Sequence, residues 1–275
     1  MVYLSVNEHA GAVPATPLNP LLSDLAAAQA DLRSLLLSLG AEDWDRPTPS
    51  PGWTVRHQVR HLAHGEELGR LAATDPEAFA AELTQMLADL YAVEAAATAP
   101  SDETSDELVA RWFAAAQALR AGVALGPGDE RIEWVTGPMS RASFLTARVM
   151  ETFAHGHDIA VTVGRELPVD RVLRHVAHLG VATRGFAFAN RALPVPEEEV
   201  RVELRGPAGG VWTWGPKDAP DQVRGPALDF CLLVTQRIHR KDTALEASGP
   251  HAELWLRIAQ CFAGPPSDGP PPIAE

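Results

Sequence analysis

Residues 141–164, RASFLTARVMETFAHGHDIAVTVG, form the stretch that decides the fold of this chain. Ser140, directly before it, is a favourable helix N-cap, so the sequence predicts a helix that begins at Arg141. Glu151 and His155 lie four residues apart within it, which places a carboxylate and an imidazole one turn apart on the same face. Because burying two such groups costs free energy unless they are paired or bound to a cation, this face indicates a polar site.

A second stretch, residues 53–69 with the sequence WTVRHQVRHLAHGEELG, carries three histidines along one face of a predicted helix. Thr54 can cap this helix. Its apolar positions are sparse because histidines occupy the spacing that an apolar stripe would take. We predict that the two helices lie side by side and hold one divalent metal ion through His61, Glu151 and His155.

Two histidines and one carboxylate are a common catalytic zinc set, in which the fourth position is left to water or substrate. The same donors suit iron, nickel or cobalt, so the pattern favours zinc without excluding these metals. His57 and Asp158 are candidates for an outer layer of hydrogen bonds around the ligands. A competing geometry uses His57 as a ligand, because it lies four residues before His61 on the same helix face.

An open coordination position allows three functions, and the residues alone do not decide between them. A bound metal can lower the pKa of a thiol and so supply a thiolate nucleophile near neutral pH. The same ligands allow a hydrolase or lyase that uses a bound water in place of the thiol. The third alternative is a non-catalytic metal-binding module.

The composition argues against several classes of protein. A net charge of −13 at pH 7 disfavours a nucleic-acid partner and an anionic membrane surface. The two cysteines, Cys231 and Cys261, are too few for a disulfide framework and lie in apolar stretches, so we expect buried free thiols. No apolar run approaches membrane-spanning length and no secretion signal is visible, so we expect a soluble cytoplasmic protein.

The helical pattern predicts one helical domain over residues 19–190, after a flexible arm at residues 1–18. Apolar residues recur at helical spacing between turn signals, and Thr104 with Glu107 forms a capping-box pattern before one of the helices. The predicted helices cover residues 20–39, 55–73, 76–97, 108–121, 141–164 and 171–190. Asp170 is the expected cap of the last helix.

The pattern changes to period two after a linker at residues 191–199. Residues 200–205 alternate between apolar and charged side chains, and residues 211–214 alternate again after a turn, which predicts a hairpin. A small α+β domain is therefore expected over residues 200–263. Its remaining elements are helices at 226–237 and 251–262 and a strand at 243–247. The proline-rich end, residues 264–275, predicts a disordered tail.

Two motifs on the metal-bearing helices resemble those of a known family. The first is GWTVR at residues 52–56 followed by HLA at 61–63, and the second is E-x-x-x-H-G-x-D-I at 151–159. Both look like the metal motifs of the mycothiol-dependent maleylpyruvate isomerase family, which belongs to the DinB-like metalloproteins. The resemblance covers residues 20–163, and residues 200–264 are similar to the small domain that follows the bundle in the isomerase.

The resemblance implies an N-terminal DinB-like antiparallel four-helix bundle with extra helices, followed by a small α+β domain of sterol-carrier-like type. By motif position it also implies His61, Glu151 and His155 as the metal ligands. The closer resemblance is to an uncharacterised branch of the family. That branch carries stretches like DFCLLVTQR, here residues 229–237, and IAQCFAGPP, here residues 258–266.

The resemblance further implies a thiol-dependent activity. In the isomerase, mycothiol adds to an unsaturated dicarboxylate, a bond rotates and the thiol leaves, whereas related transferases stop after the addition. The isomerase also uses an arginine at the end of a helix in its second domain, and Arg237 matches that place. We therefore expect a metal-dependent isomerase or S-transferase that acts on a small electrophile with a mycothiol-like cosubstrate, and Arg237 as a catalytic residue that binds a carboxylate. Bundles of this family are often dimers, which implies a homodimer.

Overall fold

The computed structural model describes residues 18–88, 97–126 and 131–273. The chain divides into two compact units, the first ending at Val169 and the second beginning at Asp170. The predicted arm at residues 1–18 lies outside the described residues apart from Leu18. Among the described residues, no helix is both long and apolar enough to cross a lipid bilayer.

Five α-helices make up most of the described part of the first unit. They are α1 (Leu18–Leu37), α2 (Val55–Thr74), α3 (Pro76–Ala88), α4 (Ser105–Leu125) and α5 (Arg141–Val163). The hydroxyls of Thr54, Thr104 and Ser140 accept hydrogen bonds from backbone N–H groups in the first turns of α2, α4 and α5, which confirms the predicted N-caps. Residues 89–96 of the helix predicted at 76–97 lie outside the described residues.

Helices α1, α2, α4 and α5 form a four-helix bundle. Both α1 and α2 pack against α4 and α5, so each helix turns its apolar face toward a shared core. One core cluster joins all four helices through the buried side chains of Leu32, Leu35, Leu36, Val55, Val59, Leu62, Leu108, Trp112 and Ile159. The predicted DinB-like helical bundle is confirmed, and α2 lies beside α5.

The loop before α2 is held by its own hydrogen bonds. Pro47 pairs with Thr54 across an isolated β-bridge. The backbone oxygen of Trp53 accepts from the backbone N–H of Thr48 at 2.8 Å and from its hydroxyl at 2.9 Å. Gly52 has a φ of +80°, a conformation that glycine adopts without steric strain. These contacts fix the backbone of Trp53 beside the start of α2.

Small elements occupy the other connections of the first unit. A 3₁₀ helix at Ala41–Asp45 follows α1. Two short strands, β1 (Arg131–Ile132) and β2 (Met139–Ser140), pair in antiparallel fashion just before α5. The sequence predicted neither strand between the helices at 108–121 and 141–164, because strands of two residues have no recognisable alternation.

The second unit contains a four-stranded sheet and its helices. The helices are α6 (Leu173–Ala182), α7 (Arg184–Ala189), α8 (Ala227–Val234) and α9 (Pro250–Ile258), with a 3₁₀ helix at Arg240–Asp242. The strands are β3 (Val200–Arg205), β4 (Val211–Trp214), β5 (Asp221–Pro226) and β6 (Glu246–Ser248). The order is β4-β3-β5-β6, in which β3 and β5 are parallel and the outer pairs are antiparallel. The predicted hairpin and small α+β fold are confirmed.

Two helices, α6 and α7, replace the single helix predicted over residues 171–190. Thr183 separates them, because its ψ of 11° departs from the helical range and ends α6. The predicted cap at Asp170 also needs correction, since Val172 occupies the N-cap position of α6. Apolar periodicity alone did not reveal this interruption.

The division between the two units falls earlier than the predicted linker at residues 191–199. Helix α6 packs against α8, and a Cβ added at Gly180 of α6 would lie 2.9 Å from both Phe230 and Val234. This close approach ties α6 to the core of the second unit. Helix α6 was predicted within the helical domain because it precedes the change to strand periodicity, and periodicity does not show which core a helix covers.

Strand β5 was not predicted. Its sequence, DQVRGP over residues 221–226, has Val223 as its only buried apolar side chain. Asp221 is also buried, and its Oδ1 atom accepts from the backbone N–H groups of His251 and Ala252 at the start of α9. A strand of this kind is recognisable only through its partners, which here are β3 and β6.

The proline-rich end of the chain corrects a further expectation. Residues 264–273 have no helix or strand, as predicted, but they are not a free tail. Asn190 Nδ2 donates to the oxygen of Gly264 at 3.1 Å, and Gln236 Nε2 donates to that of Ser267 at 2.8 Å. The backbone N–H of Ile273 donates to Asp242 Oδ2 at 3.0 Å. Proline prevents regular structure in this segment but does not prevent its docking.

Candidate metal centre

The side chains of His61, Glu151 and His155 meet between α2 and α5. Glu151 Oε2 lies 3.5 Å from His61 Nε2 and 3.2 Å from His155 Nε2. One donor atom of each residue lies within 4.8 Å of the others, and the two imidazole centroids are 4.6 Å apart. The structure therefore brings together the three residues that the sequence analysis proposed as ligands.

These spacings fit a single ion. Zinc binds imidazole nitrogen and carboxylate oxygen at about 2.0–2.2 Å, so neighbouring donors on a tetrahedral ion lie about 3.3–3.6 Å apart. The two nitrogen–oxygen distances, 3.2 and 3.5 Å, are close to that range. Three protein donors leave one tetrahedral position open, and the donor set also suits iron, nickel or cobalt.

Gln58 determines which nitrogen of His155 carries a proton. Its Oε1 atom hydrogen bonds to His155 Nδ1, while its Nε2 atom donates to Thr48 Oγ1 at 2.9 Å and to Asp158 Oδ2 at 3.3 Å. Because a carboxylate accepts only, Asp158 orients the amide, and Oε1 must accept from an Nδ1–H group. The Nε2 atom of His155 therefore faces Glu151 Oε2, as an N–H group in the imidazolium form and as a lone pair in the neutral form. Two acceptors facing each other are favourable only with a proton or a cation between them.

Asp158 lies in the outer layer of the site, where the sequence analysis had placed it. It is buried, and its Oδ2 atom also accepts from the hydroxyl of Ser50 at 2.9 Å. Gln58, which bonds to both Asp158 and His155, was not predicted as a site residue. Gln58 is wholly buried and lies three residues before His61, so helical spacing could have identified it as a polar residue on the same side of α2.

His57 is not among the three residues that the structure brings together, and it makes a different contact. Its Nδ1 atom accepts from the backbone N–H of Thr54 at 3.2 Å and completes the capping box of α2. Burial and the nearby charge of Arg60 lower the pKa of His57. His57 therefore stabilises the start of α2 as a neutral acceptor.

Glu151 is ionised at neutral pH. Burial raises its pKa, but hydrogen bonds from His155 and His61, with the charge of Arg148, outweigh burial and hold the pKa well below its usual range. Arg148 Nη2 lies 3.9 Å from Glu151 Oε1, on the side of the carboxylate away from the imidazoles. An ionised carboxylate is the form that a metal requires.

Trp53 forms one wall of the site. Its ring stacks on the imidazole of His155 at a centroid distance of 6.0 Å and an interplanar angle of 17°, and it lies 5.1 Å from the ring of His61. The side chains of His61, Glu151 and His155 keep 25, 20 and 11% of their surface exposed. The donors are therefore partly exposed to solvent, and the indole covers one side of them.

Arg237 belongs to the second unit. It lies three residues after the end of α8 at Val234, next to Gln236, whose φ of +57° is in the left-handed region. The backbone N–H of Arg237 donates to the backbone oxygen of Leu232 at 2.7 Å. Its Nη1 atom donates to the backbone oxygen of Thr235 at 2.6 Å. This is the helix-end position that the resemblance implied, and the role of Arg237 as a carboxylate-binding residue stays a prediction.

Comparisons with known proteins cover both units. Residues 25–160 match the family model described as the mycothiol maleylpyruvate isomerase N-terminal domain, and residues 196–248 match one described as wyosine base formation. Two uncharacterised proteins of Mycobacterium tuberculosis, from strains H37Rv and CDC 1551, are each 43% identical over 256 residues, which is 91% of this chain and 98% of theirs. The chain belongs to the mycothiol-dependent maleylpyruvate isomerase family.

The fold of this family member is also found in solved structures. A crystal structure of the mycothiol-dependent maleylpyruvate isomerase is 16% identical, with a TM-score of 0.54 over 86% of this chain and 96% of that chain. The structure of a histidine-to-alanine mutant of the isomerase gives the same TM-score at 15% identity. At these identities the likeness shows the fold alone.

Matched substitutions on α2 test the ligand set. We expect His61→Gln to lower zinc affinity by more than about 100-fold, beyond the effect of losing an outer hydrogen bond. His57→Gln keeps a side chain that supports a capping box, so this variant should bind zinc like the wild type. Competition titration with a chelating dye and elemental analysis measure both. Equal losses in the two variants would favour the geometry in which both histidines bind the ion.

The orientation of His155 by Gln58 is tested by Gln58→Met. This change keeps the volume and removes the acceptor of the Nδ1–H group, so we expect zinc affinity to fall by about 10–100-fold. Gln29→Met is the matched control, because Gln29 is equally buried on α1 but bonds to Glu66. Wild-type affinity in Gln58→Met, with fold confirmed by circular dichroism, would contradict the role of Gln58.

Proposed function

We propose that this chain is a metal-dependent enzyme that uses a low-molecular-weight thiol of the mycothiol type to isomerise, or add to, an electrophilic small molecule. The observation that carries the proposal is the convergence of two imidazole Nε2 atoms and one ionised carboxylate oxygen, with room for a fourth donor. Membership of the family supports the choice of a thiol as the reactant.

The ligands proposed for the divalent ion, with zinc as the first assignment, are His61, Glu151 and His155. When bound, the ion would act as a Lewis acid that lowers the pKa of a thiol, so that the thiol reacts as thiolate near neutral pH. Gln58 orients the imidazole of His155, and Trp53 covers one side of the site against water. These residues thus favour a reactive sulfur in a partly dry environment.

The proposed reaction balances without an external oxidant or reductant. The thiolate sulfur forms a bond to the β-carbon of a conjugated carbonyl compound, and the electron pair of the double bond moves to the carbonyl oxygen. The former double bond can then rotate. Return of the electron pair expels the thiolate and leaves the isomerised double bond, whereas protonation of the carbon instead leaves a stable thioether. Arg237 is proposed to bind a carboxylate of the substrate through two parallel hydrogen bonds.

Turnover of maleylpyruvate with and without mycothiol tests this proposal directly. Using the zinc-loaded protein and proton NMR to follow the double bond, we expect conversion only when both thiol and metal are present. Glu151→Gln should lower kcat/KM by at least about 100-fold, because it removes an ionised ligand. His57→Gln should retain wild-type kcat/KM.

The other outcomes discriminate the rival functions. Conversion of the substrate at the same rate without thiol would contradict the proposal in favour of a hydrolase or lyase that uses bound water. Tight zinc binding without conversion of maleylpyruvate or of related unsaturated carbonyl compounds would favour a non-catalytic metal-binding module.

A further inference from the structure

A buried cation lies behind the proposed ligands. Arg148 is on α5, one turn before Glu151, and its side chain is only 7% exposed. Its Nη2 atom is 3.9 Å from Glu151 Oε1, whereas the other carboxylate oxygen, Oε2, faces His61 and His155. The two oxygens of Glu151 therefore have different neighbours, a guanidinium on one side and two imidazoles on the other.

Packing holds the guanidinium of Arg148 in place. Its central carbon lies 4.9 Å above the ring of Trp134, a cation–π contact, and that ring is in turn packed between Phe79 and Phe144. On α2, a Cβ added to Gly65 would lie 3.0 Å from Arg148 Nη1. A glycine at this point of α2 thus leaves the space in which the guanidinium lies.

Glu66, a second carboxylate near Arg148, compensates the charge of Arg148 only weakly. The nearby Glu66 is buried, and burial raises its pKa to about 7, so this carboxylate is a weak counter-charge. Glu66 Oε1 accepts from Gln29 Nε2 at 2.9 Å, while Arg148 Nε has no hydrogen-bond partner among the described residues. The carboxylate oxygen that faces Arg148 Nη2 is Oε1 of Glu151, at 3.9 Å.

We propose that Arg148 is a positioning residue that fixes the carboxylate of Glu151, so that Oε2 alone is offered to a metal and a coordination position stays open for a reactant. The proposal rests on the metal site of the proposed function. A carboxylate can bind an ion through one oxygen or both, and the second oxygen would occupy the position that a thiol needs. The charge of Arg148 on Oε1 favours binding through one oxygen.

Cobalt(II) substitution tests the proposal with a readout other than activity. Because visible absorption of cobalt depends on coordination number, the spectrum reports whether Glu151 binds through one oxygen or both. We expect the wild type to show an intense four-coordinate spectrum. Arg148→Met and Arg148→Gln should show a weaker spectrum, typical of a higher coordination number. Their cobalt affinity should fall by about 10–100-fold.

Two further variants complete the experiment. Glu66→Gln is the control for a change at the second carboxylate near Arg148, and it should keep the wild-type spectrum because the amide has nearly the same shape and leaves the contact between Arg148 and Glu151 in place. Arg148→Lys restores a charge, although as a point charge rather than a planar fork, and should return the spectrum toward that of the wild type.

The outcomes separate this proposal from the proposed function. If the wild type binds no cobalt, the metal site itself fails, and this proposal fails with it. If the wild type binds cobalt and Arg148→Met or Arg148→Gln gives the same spectrum and affinity, the metal site stands and the role of Arg148 is overturned. Loss of fold in both neutral variants, seen by circular dichroism, would make Arg148 a structural residue only and would also overturn it.

Discussion

The Oε2 atom of Glu151 lies within 3.5 Å of the Nε2 atoms of two histidines, His61 on α2 and His155 on α5. This contact joins the two helices at the candidate metal centre. Gln58 accepts from Nδ1–H on the far side of the His155 ring, so Nε2 is the nitrogen that faces Glu151. A carboxylate and an imidazole lone pair at 3.2 Å need a positive charge between them. A divalent ion would meet that need for both histidines at once.

The same contacts that stabilise the bundle also orient the donors. Thr48 and Ser50 come from the loop before α2, Gln58 from α2 itself and Asp158 from α5, and their hydrogen bonds join these three segments. The caps of α2 and α5 set where each helix begins, which fixes the turn on which each donor lies. Trp53 extends this arrangement to the wall of the site. The same hydrogen bonds therefore hold these segments together and orient the donors of the candidate metal centre.

Helical spacing and capping residues made the bundle and the proximity of the three donors predictable from sequence. Glu151 and His155 follow from the four-residue repeat, and His61 follows from a stripe of histidines where apolar residues belong. Gln58 was not identified, because its partners His155 and Asp158 lie on another helix. Arg148 was not identified although it lies one turn before Glu151 on the same helix, because its burial depends on contacts with Trp134 and with α2 at Gly65. Strand β5 could be recognised only with its partners β3 and β6, and the break at Thr183 is a local change of backbone angle that apolar periodicity does not show.

Proteins of one family and fold can catalyse different reactions, so the fold alone does not fix the activity of this chain. The metal donors His61, Glu151 and His155 are what determine the chemistry that it can support. The most direct measurement is X-ray diffraction from crystals of the zinc-loaded protein, with anomalous data collected on both sides of the zinc absorption edge. The account predicts one strong zinc peak about 2.0–2.2 Å from His61 Nε2, His155 Nε2 and Glu151 Oε2. A zinc peak bound to other residues, with none between these three atoms, would contradict it.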